Sequence, residues 1–283
     1  MFKPYGIIPP VVTPLTADGQ INEPMLRKMV NFLIEGGVHG LFPLGTTGEF
    51  YAFTPEEHLR ILQIVVDEYI NTAVPVSSKS ITEKHLTTRG AIRLVEVCQK
   101  AGVDAVSILT PMFISQTQDE LYQYYSTIAK AVDIPIILYN NRPKTNVHIE
   151  PKTVARLSEI DNIVGVKDST GDMTNAAEYI RLTRDNEHFH VLMGRDTLIY
   201  GALCYGAAGA IASCSNVAPR LCADIYDKFV AGDMKGALEA QFKITPLRLA
   251  CSMGTFPEVI KEGLVMQGID VGKYPVGIEA KDF

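Results

Sequence analysis

The chain has 283 residues, of which 47% are apolar and 20% charged, with a net charge of -6. That balance supports a large core and excludes disorder, and a pI near 5.6 excludes the clustered Lys and Arg of a nucleic-acid-binding surface. No run approaches the roughly 18 apolar residues of a membrane span, and Met1-Phe2-Lys3-Pro4 opens no leader-like apolar core, so the expectation is a cytoplasmic protein with no membrane partner.

Short apolar runs alternate with helical patterns along the chain, the signature of a parallel sheet. The runs predict eight strands, at residues 6–12, 40–44, 74–78, 105–109, 134–139, 163–166, 191–194 and 209–213. They are apolar on both faces, as strands covered by helices are. After the first, Leu26, Met29, Val30, Leu33 and Ile34 recur at helical spacing. Thr54-Pro55-Glu56-Glu57 supplies an N-cap, a proline at the first helical position and a capping-box glutamate. Leu121, Tyr124, Tyr125, Ile128 and Val132 form a further buried stripe, and Gly36-Gly37 and Ala101-Gly102 sit where helices should end.

Eight such units end near residue 232, and the rest reads as two helices, 235–252 and 257–267. The expected architecture is an α/β chain: a (β/α)8 TIM barrel over residues 1–232 with additional C-terminal helices, residues 233–283, packed on it. A doubly wound open sheet is the competing fold, but its glycine-rich phosphate turn after the first strand is missing. The five cysteines, at 98, 204, 214, 222 and 251, form no C-x-x-C pair, and their odd number fits no closed disulfide framework, so reduced and mostly buried thiols are expected.

In a barrel, reacting groups sit at the C-terminal ends of strands. Lys167 follows Ile163-Val164-Gly165-Val166, which places its stem among apolar side chains at the barrel mouth. Desolvation disfavours an ammonium, and the neutral amine is the form that attacks a ketone. A lysine at a strand end can equally snorkel into solvent or a salt bridge. Gly45-Thr46-Thr47-Gly48 offers hydroxyls and backbone N–H groups on a tight turn, either as a carboxylate cradle or as an ordinary strand-to-helix connection. Tyr139, at another strand end, is either a proton carrier or packing. All three converge on one mouth, which favours the chemical reading of each.

The order Gly45-Thr46-Thr47-Gly48-Glu49, Tyr139-Asn140-Asn141, Gly165-Val166-Lys167-Asp168 and Gly209-Ala210-Ile211 resembles the pyruvate-dependent lyase family that includes dihydrodipicolinate synthase and N-acetylneuraminate lyase. The resemblance spans nearly the whole chain. It implies that Lys167 forms a Schiff base with a 2-oxo acid, that Thr47, Gly48 and neighbouring N–H groups hold its carboxylate, and that Tyr139, oriented by Thr46, relays protons. It places the carbonyl of Ile211 beside the imine and implies a homotetramer. No metal or organic cofactor is then expected, and no His/Cys/Asp cluster has ligand spacing.

Two departures bear on the partner aldehyde. Synthases of the family carry Thr-Pro-Tyr-Tyr where this chain has Thr110-Pro111-Met112-Phe113, so a hydroxyl is missing at Phe113. They also carry an arginine that grips the aldehyde's carboxylate where Lys144 stands here, with Arg142 as a nearby substitute. Ser169, Asp196 and Ser213 match the sugar pocket of the aldolase branch, although Thr197 departs from it. The leading expectation is therefore a class I aldolase acting on a 2-oxo-3-deoxy sugar acid. Its alternatives are a synthase joining pyruvate to aspartate semialdehyde, a dehydratase of the family, and a non-catalytic pyruvate-binding barrel.

Overall fold

Pro9 and Pro10 shape the entry to the barrel. Neither carries an N–H, so the first strand, β1 (Gly6–Ile7), stops as a regular ladder after 2 residues. Its continuation still pairs with the next segment: Phe42 N donates to Pro9 O at 3.0 Å and Val11 N to Phe42 O at 3.0 Å. The expected strand 40–44 is thus only a bridging segment beside β1, cut short by Pro43. The computed structural model describes residues 2–71, 80–83, 87–112 and 114–272.

Six further strands follow among the described residues: β2 (Ser80–Glu83), β3 (Ala105–Leu109), β4 (Ile136–Asn140), β5 (Ile163–Asp168), β6 (His190–Met193) and β7 (Gly209–Ala210). All pair in parallel, in the order β1-β7-β6-β5-β4-β3-β2. With the segment beside β1 they make the (β/α)8 barrel. The expected strand 74–78 lies outside the described residues. The expected strand 209–213 is shorter than its apolar run, because Ser213–Asn216 coil into a single tight helical turn.

One layer of the barrel interior is filled by Ile8, Phe42, Ile137, Val164, Leu192 and Ile211, each from a different segment and each at most 1% exposed. Burying such a side chain contributes roughly 1.5–3 kcal/mol. The outward faces of β3, β4 and β5 pack against the surrounding helices. Helix Glu23–Glu35 buries the stripe read from its periodicity and is capped by Asn22, whose side chain accepts from Met25 N at 3.2 Å. Helix Gln118–Ala131 begins with a complete Thr117–Glu120 capping box.

Two helices close the described chain, Met234–Ala250 and Glu258–Val265. The first lies along helix Pro219–Val230, and the second meets the turn Ser213–Asn216. All five cysteines are free; Cys204 is exposed and the other four are buried. No helix among the described residues is long and apolar enough to cross a membrane.

Candidate active site

The site begins with a register shift. Ile136 pairs with Ile163, but Ile137 pairs with Gly165, so β5 holds one residue more than β4 at that point. The extra residue resets the alternation, and both Val164 and Lys167 face the interior. Gly165 permits this, since a Cβ there would run into the carbonyl of His190. Beyond the shift, Tyr139 pairs with Lys167 and Asn140 with Asp168.

Lys167 is 4% exposed. Its Nζ lies 4.1 Å from the centroid of the Tyr139 ring and 4.9 Å from that of Phe42. Burial pushes the Tyr139 phenol up, but the Lys167 ammonium and hydrogen bonds with Thr46, Ser169 and Lys167 outweigh it and hold the group below its ordinary value. The phenol oxygen accepts from Asn141 Nδ2 at 2.9 Å and lies 3.5 Å from Thr46 Oγ1. Asp168, next to the lysine, is raised by burial, yet it accepts from Asn140, Asn175 and the Thr170 backbone and hydroxyl. These bonds fix the end of β5.

The Gly45–Thr47 turn is flanked by Leu44 and Glu49, two non-glycine residues held at φ 52 and 58. Thr47 is buried, with Oγ1 3.4 Å from Ser213 Oγ. Gly48 stands behind the turn: its carbonyl accepts from Thr13 Oγ1 at 2.8 Å, and a Cβ on it would sit 2.6 Å from Val11 O. It is therefore a packing requirement of the turn, and it is not among the residues that line the cavity opening there.

A cavity of about 340 Å³ opens at this mouth. Lys167, Tyr139, Thr46, Thr47 and Ile211 line it together, and so do Lys144, Ser169, Asp196 and Ser213. Arg142 lines a neighbouring cavity of about 510 Å³ that shares the Pro143–Lys144 wall, and does not line the first one. Phe113 lies outside the described residues.

Asp196 is 1% exposed and already engaged. Its Oδ1 accepts from Cys214 N at 2.7 Å, and its Oδ2 lies 3.5 Å from Arg248 Nε. Asn141, Arg195 and Arg248, to which no role was assigned from the sequence, also line the cavity. Asn141 and Arg195 directly follow strand ends, which was a usable signal; Arg248 sits inside a helix far along the chain, with no local signal. Four cationic side chains, Lys144, Lys167, Arg195 and Arg248, and one carboxylate, Asp196, thus line the cavity. Among the described residues no group of three or more His, Cys, Asp or Glu side chains is placed to hold a metal ion.

Known proteins resemble this chain along nearly its whole length. The sequence profile of the Dihydrodipicolinate synthetase family matches residues 3–280. A 4-hydroxy-tetrahydrodipicolinate synthase of Syntrophus aciditrophicus (strain SB) is 40% identical over 268 residues, covering 95% of this chain and 89% of that protein. A crystal structure of a dihydrodipicolinate synthase from Bacillus anthracis superposes with a TM-score of 0.91 at 31% identity, covering 98% of this chain and 92% of the other. A prophage protein of the dihydrodipicolinic acid synthase family from E. coli, solved in complex with pyruvate, gives 0.92 at 30% identity, covering 98% and 94%.

Proposed function

Because this chain belongs to the Dihydrodipicolinate synthetase family, we propose that it condenses pyruvate with aspartate semialdehyde through an imine on Lys167, as a 4-hydroxy-tetrahydrodipicolinate synthase. The observation that carries the acidic partner is the charge of the cavity lining, which holds four cationic side chains and one carboxylate, Asp196, that already meets Cys214 N and Arg248. A 2-oxo acid brings one carboxylate, and the remaining positive charge suits a second one on the aldehyde. The synthase reading thereby takes precedence over the sugar-acid aldolase expected from the sequence, because the Asp196 oxygens that would meet sugar hydroxyls already face Cys214 N and Arg248. The aldolase stays as a second reading, favoured by the Ser169 and Ser213 hydroxyls in the lining.

The steps follow from the arrangement. Lys167 Nζ adds to the C2 carbonyl of pyruvate, whose oxygen leaves as water, and the protonated imine forms. It withdraws electrons from the methyl carbon, which loses a proton to become an enamine. Tyr139, beside Lys167 and oriented by Thr46 and Asn141, carries that proton and delivers one to the aldehyde oxygen as the new carbon–carbon bond closes. Thr47 and the N–H groups of its turn hold the pyruvate carboxylate, and the Ile211 carbonyl lines the imine. Water, or the amine of the aldehyde itself, then releases Lys167. The covalent imine is the electron sink, so these steps call on no metal or organic cofactor.

The test is intact mass after incubation with pyruvate and borohydride, for the native chain and Lys167→Ala, followed by an aldehyde panel. A reduced adduct on the native protein alone, with turnover of aspartate semialdehyde, is expected. Absence of the adduct, or equal labelling of both proteins, overturns the imine. Pyruvate release from 2-oxo-3-deoxy sugar acids without use of aspartate semialdehyde hands the site to the second reading. The homotetramer implied by the resemblance belongs to the same proposal, and a sedimentation mass of one chain overturns it.

A further inference from the structure

Arg248 belongs to no strand end, yet it reaches the cavity that holds Lys167. Its helix, Met234–Ala250, is fixed at several points. Asp233 caps it by accepting from Gly236 N at 2.8 Å. Gln241 then ties it to the loop after β6: its Nε2 donates to Asp196 O at 2.9 Å, and its Oε1 accepts from Tyr200 N at 2.9 Å. Gln241 and Arg248 are seven residues apart and so share one helix face. The anchor that pins the helix therefore also aims the guanidinium.

Asp196 completes the arrangement. One of its oxygens takes the Cys214 backbone N–H, and the other lies 3.5 Å from the Nε edge of Arg248, whose side chain is 18% exposed. A guanidinium has two edges suited to a carboxylate. The contact with Asp196 uses Nε, which leaves the end carrying Nη1 and Nη2 for a ligand. Lys144, by contrast, is an exposed point charge on the rim. Where the family resemblance gives the aldehyde's carboxylate an arginine after β4, this chain has Lys144 in the lining and Arg142 in the neighbouring cavity, so the guanidiniums of the lining are Arg195, packed beside Gly171, and Arg248 from the C-terminal helix.

We infer that Arg248, held by Asp196, is the residue that selects an aldehyde bearing a carboxylate. Asp196 is then a positioning residue for the guanidinium, not a ligand for substrate hydroxyls. The inference rests on the imine chemistry proposed above and narrows its second substrate to an acidic aldehyde.

The experiment measures kcat/KM with saturating pyruvate for succinic semialdehyde and for butyraldehyde, an acidic and a neutral aldehyde, and takes their ratio. In Arg248→Gln the ratio is expected to fall roughly ten- to hundredfold, the range for losing a charge-assisted pair, while KM for pyruvate changes less than twofold. Asp196→Asn is expected to lower the ratio in the same direction by a smaller factor. An equal loss on both aldehydes would mean a structural role and overturn the inference. If Arg248→Gln no longer gives the borohydride adduct, Arg248→Lys takes its place, and an unchanged ratio in that variant overturns the inference as well. Failure of the wild type on aspartate semialdehyde would sink the synthase reading alone, since the acidic-to-neutral ratio is still measured on whichever aldehydes it accepts.

Discussion

Lys261 Nζ lies 2.6 Å from Glu49 Oε2, with both side chains at most 1% exposed. The contact is short but poorly aligned for a hydrogen bond, and Glu49 Oε1 meets no donor. It joins the last described helix to the residue that ends the Gly-Thr turn. Breaking such a pair from one side leaves a buried charge uncompensated, at a cost of about 3–5 kcal/mol. Glu49→Leu, which leaves Lys261 buried without its carboxylate, should lower the urea midpoint accordingly, and the double variant Glu49→Leu/Lys261→Met should recover much of the loss. A single variant with an unchanged midpoint would show that the pair does not hold the turn.

The same carboxyl makes stability depend on pH. Burial pushes Glu49 up to about 7, against the opposing pull of Lys261. A carboxyl raised in the folded state binds its proton more tightly there than in the unfolded chain. Its contribution is complete below the unfolded value of 4.5 and is lost as pH climbs toward 7. Urea titrations across that window should show the native chain losing stability with rising pH more steeply than Glu49→Gln. Parallel curves for the two proteins would refute the assignment.

Tyr139 gives a kinetic prediction. Thr46 is one of the groups holding its phenol below the ordinary value, so Thr46→Val should shift the titration upward. If the phenolate accepts the methyl proton, the exchange rate of pyruvate's methyl protons rises with pH through that titration, and in Thr46→Val the rise moves to higher pH. Tyr139→Phe should slow exchange by roughly 10²–10⁴-fold. Exchange that is indifferent to both changes would assign the proton to another group.

Gly48 tests the cradle without touching its lining. A methyl group at this position would sit 2.6 Å from Val11 O and 3.0 Å from Leu44 N, both backbone atoms with little room to yield. Gly48→Ala should cost about 1–3 kcal/mol of stability and raise KM for pyruvate, with the acidic-to-neutral aldehyde preference unchanged. A normal pyruvate KM would detach this glycine from carboxylate binding.

The placement of Lys167 and Tyr139 at the barrel mouth was legible because the apolar run before each marks where a strand finishes. The lengths of the ladders were less so. Hydrophobicity marks residues 6–12 as one strand, but the missing N–H groups of Pro9 and Pro10 end its regular ladder, and only scattered bonds such as Ile8 N to Ala210 O continue it. The extra residue in β5 was hidden too, because the pairing of Ile137 with Gly165 depends on a neighbouring strand. Asp196 could be named from its motif, yet its partner Arg248 lies 52 positions later, and only the folded chain reveals that its carboxylate is occupied.

Tyr139 and Lys167 sit opposite each other on adjacent, hydrogen-bonded strands, whereas Lys144 and Arg248 come from a one-turn helix after β4 and an outer helix. The consequence is a separation of what can drift from what cannot. Descendants of such a barrel can exchange residues on the outer helices, and so acquire new second substrates, while the spacing of the pair proposed to form and serve the imine is inherited intact from the sheet. Changes of specificity in this lineage should therefore accumulate outside β4 and β5 and leave the first half-reaction in place.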